Sequence, residues 1–95
     1  MTRYLVLIRF TEQGVRTLKL STARAAAFRK SAAKAGVEVE VQLWTTGAYD
    51  GALILSGANE TRVLSQVARL ATLGNVRTET LQAFDAKQFA AIIQG

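Results

Sequence analysis

The sequence predicts an α+β domain: a four-stranded antiparallel sheet carrying two helices on one face, followed by a short terminal helix. Three observations lead there. Stretches with apolar residues at every second position interleave with stretches at helical spacing. Their order reads β-α-β-β-α-β, the split unit of ferredoxin-like folds. Each of the two principal helical stretches closes on a glycine, Gly36 and Gly74. With 95 residues, one domain spanning 1–95 accommodates the chain.

The first strand runs from Arg3 to Phe10, with Tyr4, Val6, Ile8 and Phe10 on one face and Leu5 and Leu7 central on the other. Apolar character on both faces marks a strand inside the sheet, with something covering each side. Thr11 to Leu20 reads as a connection with one helical turn whose Val15 and Leu18 point inward. Ser21 or Thr22 is positioned to cap a helix to Ala35, with Ala25, Phe28, Ala32 and Ala35 as its buried stripe. Val37, Val39, Val41 and Leu43 alternate with Glu38, Glu40, Gln42 and Trp44, the pattern of a half-buried strand with Trp44 on the glutamate face. A turn at Thr46-Gly47-Ala48 leads to a strand from Tyr49 to Ser56, forming a hairpin. Asn59 caps a helix through Val63, Val67, Leu70 and Ala71. Val76 to Ala83 forms the last strand, and Asp85 with Gln88 opens a short helix whose apolar side is Phe89, Ile92 and Ile93.

Composition narrows the chemistry. Cysteine and histidine are absent, which removes disulfides, thiolate nucleophiles, iron–sulfur ligation, imidazole metal ligands and a histidine general base. We expect no cofactor and no metal. Glu38 and Glu40 are two carboxylates without further oxygen ligands, a poor set for a hard cation. Arg3 and Arg9 bracket only the apolar run Tyr4 to Ile8, too short for a signal peptide core or a membrane span. A soluble, cytoplasmic protein without membrane contact is the expectation. The formal net charge is +5, and Arg16, Lys19, Arg24, Arg29, Lys30 and Lys34 follow one another with no acid between them. Such a run attracts nucleic acid or an anionic ligand. It equally forms a solvated helix face, and that is the reading adopted here, with nucleic acid an unlikely partner.

The segment Trp44-Thr45-Thr46-Gly47-Ala48-Tyr49-Asp50 contains a Gly-x-Tyr-Asp element. With the opening strand ending Phe10-Thr11-Glu12-Gln13-Gly14, the Arg24-Ala25-Ala26-Ala27-Phe28 helix and the closing stretch Gly74 to Phe84, it resembles the uncharacterised GYD-domain family over nearly the whole chain. The resemblance implies a fold similar to the dimeric α+β barrels. It supplies no catalytic residues to carry over.

Five residues stand out as ligand-binding candidates: Trp44, Tyr49, Asp50, Arg77 and Glu79. Tyr49 can donate a hydrogen bond and Asp50 can anchor a ligand, yet neighbours on a regular strand point to opposite faces. A structural role for both is the simpler reading, Tyr49 packing its ring and Asp50 accepting from turn amides. Arg77 and Glu79, two apart, share a face; they either pair with one another or form an anion site. Trp44 serves as an interface anchor or stacks on a planar ligand. Function is expected to be binding or assembly: a homo-oligomer, at least a dimer, joined through the open sheet face by Leu5, Leu7 and Trp44, holding a small organic or anionic ligand. The alternative is a cofactor-independent monooxygenase or isomerase, which requires Tyr49, Asp50, Arg77 and Glu79 to converge in one cavity.

Overall fold

A computed structural model describes residues 1–95. The chain runs β1 (Thr2–Phe10), α1 (Glu12–Arg16), a 3₁₀ turn (Leu18–Leu20), α2 (Ser21–Lys34), β2 (Glu38–Trp44), β3 (Gly51–Gly57), α3 (Glu60–Thr72), β4 (Val76–Ala83) and α4 (Ala86–Gln94). The four strands form one antiparallel sheet in the order β2-β3-β1-β4, the predicted ferredoxin-like topology. No helix is long and apolar enough to cross a membrane.

The core lies between the sheet and helices α2 and α3. Alternation on β1 sends Tyr4, Val6 and Ile8 inward, where they meet Leu53 and Leu55 of β3, Val37 and Val39, Phe28 and Ala32 of α2, and Val63 and Val67 of α3. Leu53 and Leu55 are fully buried; each contributes about 1.5–3 kcal/mol relative to an exposed position. Asn59 caps α3, its side chain accepting from the Arg62 amide at 3.0 Å, and Asp85 and Gln88 form a reciprocal capping box on α4. Gly36 and Gly74 take φ of +80° and +81° after α2 and α3, the left-handed conformation that ends a helix.

The structure corrects several details of the sequence reading. Val15 and Leu18 do not point inward; both are exposed. Ser21 is not a helix cap: Leu20 holds that position without a side-chain bond, and the Ser21 hydroxyl serves Trp44 instead. β3 begins at Gly51, so Tyr49 and Asp50 belong to the connecting loop. The apolar side of α4 (Phe89, Ile92 and Ile93) is exposed along its length.

The largest correction concerns β2. Val39 pairs with Leu55 but Val41 pairs with Ile54, leaving Glu40 as the extra residue of a β-bulge. Up to Val39 the valines face the helices. Beyond it the sides exchange: Val41 and Leu43 stand on the open face, and Gln42 and Trp44 turn towards the helices. Glu40 itself forms an ion pair with Arg3 at 2.9 Å on the open face. Trp44 is therefore not an open-face residue, as its place in the alternation had suggested. The open face carries Leu5, Leu7, Val41, Leu43, Ile54 and Leu81 at its centre.

Candidate functional site

The bulge divides the five sequence-predicted residues between two sides of the sheet. Trp44 and Asp50 lie on the helix side, at one end of a cleft between the sheet, α2 and α3. Tyr49, Glu79 and Arg77 lie on the open side.

On the open side, Tyr49 donates its hydroxyl proton to Glu79 Oε2 at 2.9 Å. The Arg9 guanidinium stands 4.8 Å from the centre of the Tyr49 ring, a cation–π arrangement, while its Nε donates to the Ala48 carbonyl at 3.1 Å. The hydrogen bond to Glu79 raises the Tyr49 phenol above its ordinary value. Arg77 is cross-strand to Arg9 and makes no ion pair; Glu79 bonds Tyr49 rather than Arg77. This cluster pins the β2–β3 loop to the edges of β1 and β4. Within the loop the Thr45 hydroxyl donates to the Tyr49 carbonyl at 2.6 Å and the Thr45 amide to the Asp50 carbonyl at 2.9 Å.

Asp50 faces the other way. Its amide donates to the Ile8 carbonyl and its Oδ2 accepts from the Phe10 amide, both at 2.8 Å. The carboxylate thus closes the end of β1, satisfying an amide of the neighbouring strand rather than of its own turn. Beside it, the Trp44 indole N–H donates to Ser21 Oγ at 2.7 Å, joining the end of β2 to the start of α2.

The cleft has a volume of about 420 Å³, in the range of small-molecule sites. Its walls are mainly apolar, with Ile8, Phe10, Phe28, Leu53, Leu70 and Val76 prominent. The polar groups set into it are few. Gln66 on α3 is only 4% exposed and lines the cleft. Arg24 on α2 is held by its Nη1, which donates to the Thr17 carbonyl at 3.0 Å and to Thr17 Oγ1 at 2.9 Å; its Nη2 is enclosed and unpaired. Arg69 stands exposed at the rim. A second, shallower hollow adjoins the cleft, sharing Phe10, Ser21, Trp44 and Asp50 with it and bounded outside by Val15 and Leu18. Trp44 and Ser21 form the partition between the two spaces.

Sequence reasoning singled out Trp44 and Asp50 but overlooked Gln66, Arg24 and Arg69. A signal existed for the first: Gln66 is three residues after Val63 and four before Leu70, so it falls inside the apolar stripe of its helix. Arg24 likewise precedes Phe28 by one helical repeat and shares its face.

Comparison with known proteins supports the same frame. The profile of the GYD domain family matches residues 4–93. Among solved structures, the crystal structure of TTHA0845 from Thermus thermophilus is similar at 27% identity and a TM-score of 0.58, covering 90% of this chain and 96% of that one. No curated protein matches the sequence.

Proposed function

The chain belongs to the GYD domain family, and from that premise we propose that it is a non-catalytic homo-oligomer, at least a dimer, whose subunits each hold a small organic molecule in the cleft between sheet and helices. The observation that carries the reading is the cleft itself: a space of about 420 Å³ with apolar walls, a few inward polar groups and the one tryptophan at its end. Sites of this composition take ligands by burial and orient them by isolated polar contacts.

The open sheet face supports the oligomeric part. Its centre is apolar, and its two ends carry opposite charge. At one end Glu38, Glu40 and Asp85 surround the single cation Arg3. At the other, Arg9 and Arg77 stand opposite each other with the one acid Glu79 beside them. Two copies stacked by an antiparallel two-fold axis bring the acidic end of each against the basic end of its partner, and bury both apolar centres.

The enzyme alternative depended on Tyr49, Asp50, Arg77 and Glu79 meeting in one cavity. Asp50 lines the cleft while Tyr49, Arg77 and Glu79 stand on the opposite side of the sheet, so the geometry favours binding over turnover. The basic run of α2 is also interrupted as a nucleic-acid surface, since Arg24 is tied to Thr17 and Arg29 donates to the Val39 carbonyl at 3.0 Å.

Native mass spectrometry of gently purified protein, paired with sedimentation velocity, tests both halves. A dimer or larger assembly carrying a discrete added mass is the expected result. A monomer at micromolar concentration overturns the oligomer. A bare assembly that also takes up no small molecule from a mixed metabolite extract overturns the ligand site and leaves assembly as the function.

A further inference from the structure

The chemistry of the cleft points to the class of molecule it takes. We infer that the occupant is an apolar monocarboxylate, its hydrocarbon or aromatic body against the sheet and its carboxylate directed to Gln66 and the arginines of α2 and α3. The inference rests on the ligand-binding reading above and makes it specific.

Gln66 is the first indication. It sits among core residues at 4% exposure and lines the cleft, and its amide atoms are not enclosed without a partner, so they reach the open space of the cleft. An amide facing such a mostly apolar space gains from a paired partner within it. A carboxylate oxygen in the cleft supplies the acceptor that its NH₂ group lacks.

Charge is the second, independent indication. Two arginines and one aspartate line the cleft, an excess of one positive charge. Neither arginine is in an ion pair: the two ion pairs of the domain are Arg3 with Glu40 and Arg16 with Glu12. Asp50 already spends one oxygen on the Phe10 amide. Arg24, fixed through Nη1 and with Nη2 enclosed, contributes a stationary charge in the wall, which acts on an anion in the cleft without touching it. Arg69 at the rim is free to close on the anion directly.

The class follows from the balance between these terms. A single excess positive charge matches a monoanion. A phosphate dianion would leave one charge uncompensated in a mostly apolar space, which is strongly unfavourable. A neutral apolar ligand would leave both Gln66 and the arginine excess without a partner.

The experiment compares 4-phenylbutyrate with 4-phenylbutanamide, which share a skeleton and differ at the head group, an anionic carboxylate in one and a neutral amide in the other. Emission of Trp44, the one tryptophan, reports occupancy at the end of the cleft, and calorimetry checks each affinity. We expect the acid to bind at least about tenfold more tightly than the amide, consistent with a charge-assisted hydrogen bond. Arg69→Glu, a change at an exposed position that leaves the core untouched, should weaken the acid by about tenfold or more and leave the amide unchanged. Gln66→Leu should narrow the acid-to-amide ratio. Equal affinity of acid and amide in the native protein overturns the carboxylate assignment while leaving a ligand-binding cleft standing. An acid preference that survives Arg69→Glu and Gln66→Leu unchanged overturns it as well, because the anion is then recognised elsewhere. Absence of binding by both compounds at about 10 mM overturns the assignment and the cleft reading together.

Discussion

Gly14→Ala sets two tendencies against one another, and the structure decides between them. In an exposed helix interior this change stabilises by about 0.5–1 kcal/mol, because glycine loses more backbone freedom on folding. Gly14 is buried, and a Cβ placed on it would stand 2.1 Å from the Asn75 carbonyl oxygen and 3.0 Å from the carbonyl carbon. That carbonyl cannot simply turn away. It accepts from the Thr11 amide at 3.1 Å, and the adjoining backbone accepts from Thr11 Oγ1 at Gly74 (2.6 Å) and from Gln13 Nε2 at Leu73 (3.0 Å). Restoring van der Waals distance moves α1 off the α3–β4 turn by more than an ångström and breaks or stretches these three bonds. At about 1 kcal/mol each the loss is about 3 kcal/mol. Subtracting the helix gain leaves a destabilisation of about 2 kcal/mol, or a Tm lower by about 8–16 °C in a domain of this size. Thermal melts followed by far-ultraviolet circular dichroism read it directly. A Tm equal to or above that of the native protein would refute the close approach of α1 to Asn75.

Three further outcomes follow from hydrogen bonds already described. Ser21→Ala removes the acceptor of the Trp44 indole and should lower stability by about 1 kcal/mol; a red shift and lower anisotropy of Trp44 emission would mark the loosened partition, and unchanged spectra would show that Ser21 does not hold the ring. Hydrogen bonds from Arg3 and then Ser56 hold the Glu40 carboxyl below the usual carboxylate range. Its contribution to stability is therefore complete above the unfolded value of about 4.3 and is lost as pH falls through the lower folded value. Glu40→Gln should flatten that acid limb in urea titrations, whereas an unaltered pH slope would count against the ion pair. The two tyrosines are both raised, Tyr49 by its bond to Glu79 and Tyr4 by burial beside Glu60, so stability from the neutral phenols persists below about 10 and is lost as pH rises through the folded values. Absorbance titration should show both deprotonating late. Tyr49→Phe should remove one step with little change in Tm, and an ordinary titration step for Tyr49 would argue that its hydroxyl faces water.

Much of the fold was legible because local signals agreed with one another. The two-sided apolar pattern of β1 announced a central strand, Asn59 and the Asp85–Gln88 pair marked helix starts, and Gly36 and Gly74 marked helix ends. The site was legible only in part. From Val37 to Trp44 the sequence alternates without interruption, and nothing within it signals that Glu40 is extra; only pairing with β3 creates the offset. Arg3 draws Glu40 to the open face, and because Val41, Leu43 and Trp44 are all apolar, either assignment of sides looks acceptable in one dimension. The inward reading of Val15 and Leu18 failed for a related reason: a five-residue helix presents too short a pattern to define which side is covered. Gln66 stood visibly in the α3 stripe, but a single polar residue there carries no pattern that separates an amide facing a cleft from one at the edge of the helix surface.

The bulge has a consequence for how such a chain can change. Removing Glu40 would let β2 and β3 pair in step while Val41, Gln42, Leu43 and Trp44 keep the partners and sides they already have. A single-codon deletion is therefore expected to remove the ion pair with Arg3 and leave the lining of the cleft and the open face as they are, whereas keeping Glu40 and pairing it in step would exchange the two. Mutagenesis libraries of fixed length never sample that deletion; libraries that vary strand length reach it in one step.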